Sequence, residues 1–128
     1  MRYLLDTHAY LWQVDASPDL SNVARDIIAN DANTVYLGIA SLWEIAIKVS
    51  IGKLQVGYTM IDLAVTIPAT YGYETLRITP QHLDILSRLP LHHRDPFDRL
   101  LIAQCLAKNM AILSNDTALD AYGVERIW

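Results

Sequence analysis

Four acidic residues, Asp6, Glu44, Asp98 and Asp116, have sequence surroundings that set them apart from ordinary surface charges. Asp6 closes the short apolar run Arg2–Leu5, and Asp116 follows the apolar Met110–Leu113 by three residues. Each also suits a purely local use, because Asp is a common helix cap and Asx-turn residue. Glu44 lies in Leu42–Val49, whose polar stripe is only Ser41, Glu44 and Lys48. Its local alternative is an i,i+4 pair with Lys48 on a solvent face. Asp98 heads the line Leu101, Ile102 and Cys105, at spacings of three, four and seven that share one helix face. A carboxylate on that face is costly unless it is paired or holds a cation. The local reading makes Asp95 the helix cap, Pro96 the first helical residue and Asp98 a first-turn acid favoured by the helix dipole. Capping by Asp95 still leaves Asp98 free to face a site.

Carboxylates brought together repel one another, and their affinity for protons rises unless a cation neutralises them. Hard divalent ions such as Mg²⁺ meet that need, since they take oxygen ligands, keep several waters and can also contact a phosphate. Ions held in this way activate water and stabilise a leaving oxygen, which is the chemistry of phosphodiester cleavage. The histidines compete poorly for a metal role. His8, His82, His92 and His93 match no zinc spacing, and the adjacent pair would diverge in an extended segment. They are expected to lie outside the site. Cys105, mid-helix on the apolar line, reads as a buried small hydrophobe and not as a nucleophile.

Positioning these acids requires elements that alternate. Arg2–Leu5 reads as a strand, Thr7–Val14 as a helix, and Val23, Ile27 and Ile28 mark a second helix ending near 30–33. Thr34–Leu37 is a strand, and Ser41 is expected to cap the helix Leu42–Val49. Thr59 opens a helix to about Tyr71 that Pro68 should bend. Glu74–Ile78 reads as a strand, Thr79 and Pro80 open a helix to about Leu89, and 92–95 is a loop. The helix Phe97–Lys108, closed by Asn109, precedes a strand at Met110–Leu113, a helical turn at 115–122 and a strand at Val124–Ile127. Such alternation implies an α/β fold, a mostly parallel central sheet flanked by helices on both faces. Ligands bind such sheets beyond the carboxyl ends of the strands, where Asp6 and Asp116 fall. Trp12, Trp43 and Ile47 exceed what one core face requires and are expected at a partner or dimer surface.

At 128 residues the chain suits one domain, 1–128, and 52% hydrophobic with 19% charged residues excludes a disordered class. No apolar stretch is long enough to span a membrane, and the acid at position 6 comes too early for a signal peptide. A cytoplasmic protein is therefore expected, with which a single cysteine agrees. The net charge of −4 lacks the basic footprint of a nucleic-acid binder. Setting aside the four acids, however, leaves ten acids against ten Lys and Arg, so bound cations would leave the surface near neutral.

The segments Leu4-Leu5-Asp6-Thr7-His8, Ser41-Leu42-Trp43-Glu44-Ile45, Asp95-Pro96-Phe97-Asp98-Arg99-Leu100-Leu101-Ile102-Ala103-Gln104 and Ser114-Asn115-Asp116 span nearly the whole chain. In this order they resemble the PIN-domain nucleases, and more narrowly the VapC-type toxins of bacterial type II toxin–antitoxin systems. The resemblance implies a Mg²⁺- or Mn²⁺-dependent endoribonuclease acting on RNA, a homodimer, and inhibition by a small antitoxin protein. It assigns the catalytic and metal-binding roles to Asp6, Glu44, Asp98 and Asp116, with Thr7 and Ser41 as donors beside them. Asp95 lies in a matching segment but is read as the cap. Arg94 and Arg99 flank the site, where contact with RNA phosphates and pairing within the protein are both open.

Other functions fit less well. A Mg²⁺-dependent phospho-acceptor domain needs a second acid near the first strand and a late lysine, but the last lysine here is Lys108, within a helix. An Asp-x-Asp phosphatase is disfavoured by His8 at the second position. A catalytically inactive PIN-like module binding RNA or protein is opposed by the presence of all four acids.

Overall fold

The computed structural model describes residues 1–128. In chain order its regular elements are β1 (Arg2–Leu5), α1 (Thr7–Val14), α2 (Asn22–Ala29), β2 (Thr34–Gly38), α3 (Ile39–Ser50), α4 (Ile67–Tyr71), β3 (Glu74–Leu76), α5 (Pro80–Arg88), α6 (Pro96–Lys108), β4 (Ala111–Leu113) and β5 (Arg126–Ile127). A π-helical stretch, Asp62–Thr66, leads into α4, and a 3₁₀ turn, Thr117–Tyr122, separates β4 from β5. All pairings are parallel, in the order β3-β2-β1-β4-β5, with Leu5 opposite Leu37 on one side and Leu113 on the other.

The central strands are apolar on both faces because helices cover both. Tyr3, Leu5, Val35, Leu37, Ala111 and Leu113 pack with Tyr10, Leu42, Ile45 and Leu63. Leu4, Ile112 and Leu76 face the other way, against Leu100, Leu101, Ile102, Cys105 and Leu119. Full burial of each large aliphatic side chain contributes about 1.5–3 kcal/mol. The Leu101, Ile102 and Cys105 line of α6 thus faces the core, and burial pushes the Cys105 thiol up to about 12, consistent with a packing role.

Local signals explain most boundaries. Asp95 caps α6 by accepting the N–H groups of Phe97 and Asp98 at 2.8 and 3.1 Å, Pro96 takes the first position, and Asn109 ends the helix at φ 53°. Other boundaries differ from the sequence reading: β3 stops at Leu76 and not Ile78, and β5 is shorter than Val124–Ile127, beginning at Arg126, as befits edge strands paired on one side only. Helix α3 starts at Ile39, directly from β2, with Gly38 in the cap position and no side-chain cap. Gly38 packs against α6, where a Cβ would meet Leu101 Cδ2 at ordinary contact distance, 3.4 Å. Ser41 is then inside the helix and buried, its hydroxyl given to a tertiary partner and not to a cap. Pro68, read as a bend, is preceded by the π-helical turn, since a proline cannot donate to the carbonyl four residues back.

The order of the sheet reverses at β1. Strands β2 and β3 are laid down on one side of it, β4 and β5 on the other. The carboxyl ends of β1 and β4 therefore flank a switch point, joined there by a 3.2 Å bond from the Asp6 N–H to the Leu113 carbonyl. No helix is long and apolar enough to cross a membrane. Trp43 is 56% exposed, edge-on to Phe97 with ring centres 5.2 Å apart, whereas Trp12 is half-buried against Trp128.

Candidate metal centre

Each of the four acids is delivered by a different element. Asp6, beyond β1, is buried and caps α1, its Oδ1 accepting the Ala9 N–H at 2.7 Å. Burial pushes its carboxyl above the ordinary range; the Ser114 hydroxyl and the Ala9 N–H oppose the rise, and the nearby charge of Asp116 adds to it. Capping and a place at the switch point are thus combined in one residue.

Glu44 is 3% exposed and approached from two sides. Its Oε1 accepts the Thr7 hydroxyl at 2.7 Å, and its Oε2 accepts from Lys48 Nζ at 2.7 Å. The Thr7 oxygen also lies 3.0 Å from the Ser41 oxygen. A hydroxyl has one proton, so with Thr7 donating to Glu44 the contact is made by Ser41 donating to Thr7. The Lys48 pair read from the sequence therefore exists, but its carboxylate is inside the protein and not on a solvent face. Glu44 holds the Lys48 ammonium in its charged form above the ordinary range, helped by Asp95 and Asp98. Lys48 consequently belongs to the same charge cluster, a role its spacing alone did not reveal.

Asp98 lies in the first turn of α6 and Asp116 at the start of the 3₁₀ turn beyond β4, where its Oδ1 accepts the Ala118 N–H at 3.0 Å. Between them stands His93. Its Nε2 is 3.3 Å from Asp98 Oδ2 and 3.3 Å from Asp116 Oδ2. The candidate ligand atoms of His93, Asp98 and Asp116 all lie within 4.8 Å of one another, close enough to surround one ion. Burial, with the charges of Asp95, Glu44 and Asp6 adding to it and His93 opposing, pushes the Asp98 carboxyl up to about 7.

The structure therefore brings Asp98 and Asp116 together directly. Asp6 and Glu44 lie within charge-coupling reach of Asp98, but their oxygens are also engaged by Ala9, Thr7 and Lys48. His93 was missed by sequence reading, because its neighbour His92 and its spacing matched no ligand pattern. The available signal was its place two residues before the Asp95 cap. Of the flanking arginines, Arg99 is turned inward, donating to the Pro90 carbonyl at 2.9 Å and lying 3.2 Å from the Tyr122 hydroxyl, while Arg94 is exposed.

The donor chemistry fits a hard divalent ion. The carboxylates gathered here offer only oxygen ligands, and burial together with the charges of Asp95, Glu44 and Asp6 disfavours the ionised Asp98 unless a cation stands beside it.

A family model described as PIN domain matches residues 3–125. The fold is similar to that in VapBC2 from Rickettsia felis bound to a DNA fragment from its promoter, at 15% identity and TM-score 0.73, covering 99% of this chain and 98% of that one. It is similar to FitAcB from Neisseria gonorrhoeae at 15% identity and TM-score 0.69, covering 98% and 96%. VapBC-1 from nontypeable Haemophilus influenzae is similar at 14% identity and TM-score 0.65, covering 99% and 97%. No curated protein sequence matches the chain.

Proposed function

The chain belongs to the PIN-domain family, and on that footing we propose that it is a metal-dependent endoribonuclease that hydrolyses RNA phosphodiester bonds as the toxin of a toxin–antitoxin pair. The observation that carries this reading is the acidic cluster at the β1/β4 switch point, where ligand atoms of Asp98 and Asp116 lie within 4.8 Å of each other and Asp6 and Glu44 stand within charge-coupling reach of Asp98. Asp6, Glu44, Asp98 and Asp116 would hold Mg²⁺ or Mn²⁺. When bound, the cation supplies an activated water and charge neutralisation at the phosphate.

The remaining chemistry belongs to the protein. Thr7 and Lys48 hold the Glu44 carboxylate from both sides, which fixes its direction. The Ala9 N–H fixes one oxygen of Asp6. The Asp95 cap sets the angle at which α6 presents Asp98. Preorganised oxygens of this kind need no rearrangement when substrate arrives.

A small antitoxin protein is the partner this reading implies, since the similar folds named above are found in VapBC2, VapBC-1 and FitAcB. Exposed Trp43 and half-buried Ile47 on α3 suit a second copy of the chain, making a homodimer, and a cytoplasmic location goes with an RNA substrate. The test is cleavage of single-stranded RNA and of matched DNA by purified protein, with Mg²⁺, with Mn²⁺ and with EDTA. RNA cut only with metal, and by neither folded Asp6→Asn nor folded Asp98→Asn, is the expected result. Cleavage unchanged in Asp98→Asn or in EDTA would overturn the reading.

A further inference from the structure

We propose that His93 is a positioning residue which donates from Nε2 to Asp116, beside Asp98, and is not itself a metal ligand; this rests on the nuclease centre proposed above. The three side chains form a cluster from which either role could be read, and the other nitrogen of the ring decides between them. His93 Nδ1 accepts the backbone N–H of Asp95 at 3.1 Å. Accepting requires a lone pair, so the ring proton is on Nε2. That one N–H donates to Asp116 Oδ2 at 3.3 Å, and Asp98 Oδ2 lies beside it, 3.3 Å from the same nitrogen.

Coordination through Nε2 would need the opposite tautomer. The proton would then sit on Nδ1, facing the Asp95 N–H across 3.1 Å, and two donors would oppose each other. The ring cannot keep its backbone bond and also ligate. Its position is further secured from the loop. The Tyr122 hydroxyl oxygen accepts the N–H groups of His92 and His93 at 3.0 and 2.7 Å. Arg99 ties the same hydroxyl to the Pro90 carbonyl. The bond to Asp95 couples the ring to the cap of α6, the turn that also presents Asp98. One side chain thereby links the aspartate from the α6 turn to the aspartate beyond β4. Donors that orient carboxylate ligands typically change metal affinity by about 10- to 100-fold when removed.

The test uses the full chain with ¹⁵N-labelled histidine at pH 8. Two-bond ¹⁵N–¹H correlations of the metal-free protein should show His93 as the Nε2–H tautomer, unchanged on saturation with Mg²⁺. Calorimetric Mg²⁺ titration should show affinity about 10- to 100-fold weaker in folded His93→Ala, with partial recovery in His93→Gln, whose amide also donates. An Nδ1–H tautomer, a doubly protonated ring or a free-histidine mixture of tautomers overturns the proposal. So does wild-type Mg²⁺ affinity in folded His93→Ala. The wild type and Asp98→Asn serve as the separate control: Mg²⁺ binding that is absent in wild type, or retained in Asp98→Asn, defeats the metal centre itself. The tautomer of the metal-free protein still decides the donor role of His93.

Discussion

Replacing Asp98 by Asn removes a charge that the metal-free fold carries at a cost, so the variant should be more stable than the parent at and above neutral pH. The Asp98 carboxyl is raised from 3.8 to about 7, first by burial and then by Asp95, with Glu44 and Asp6 adding to it. A raised value means that the folded state holds the proton more tightly than the unfolded chain. The associated stability is fully present below 3.8 and is lost as the pH climbs through about 7. The whole interval corresponds to about 4 kcal/mol. Asp98 keeps a quarter of its side chain exposed, and the neighbouring acids share the repulsion, so roughly 2–4 kcal/mol should be measured. For a domain of this size that is on the order of 10 °C in Tm. The assay is thermal and urea unfolding in EDTA from pH 4 to 8.5, comparing wild type with Asp98→Asn. The two should converge near the acid end and diverge with pH, the variant ahead. Mg²⁺ should then stabilise wild type with the logarithm of its concentration over Kd and leave the variant unchanged. A variant less stable at every pH, or ahead by a constant margin, would refute the reasoning.

Asp95→Ala should lose the α6 cap, about 1 kcal/mol, but it also removes the largest neighbouring charge acting on Asp98. Its destabilisation in EDTA should therefore be smaller at pH 8 than at pH 5, as read by urea midpoints; a pH-independent deficit would contradict the coupling. Lys48→Met leaves the buried Glu44 carboxylate with Thr7 alone, and should cost about 1–2 kcal/mol at pH 7 after allowance for solvent reaching Lys48. Adding Glu44→Gln should restore most of that loss in a double-mutant cycle, and purely additive effects would show that the pair is not coupled.

The parts of this protein that its sequence alone determined are those governed within a turn or two of chain. The cap at Asp95, the proline at the first position of α6 and the stop at Asn109 all act over a few residues, and each was readable. So was the inward line of Leu101, Ile102 and Cys105, because helical periodicity fixes a face before any partner is known. The position of Asp6 after β1 and of Asp116 just beyond β4 could be read for the same reason. Boundaries failed where packing outweighed a local preference. Ser41 is a good cap by type, yet α3 begins before it, directly from β2, and the buried Ser41 hydroxyl meets Thr7 instead of a helix end.

The tertiary structure alone decided what meets at the switch point. The order β3-β2-β1-β4-β5 follows from how the crossovers pack, and no residue names its neighbouring strand. Glu44 joins Thr7 across 37 positions, and His93 reaches Asp116 across 23, in contacts that neither periodicity nor capping encodes. The same acids can be helix caps, surface pairs or a charge cluster with identical local sequence. Burial and mutual repulsion separate those states, and both are properties of the space the folded chain encloses.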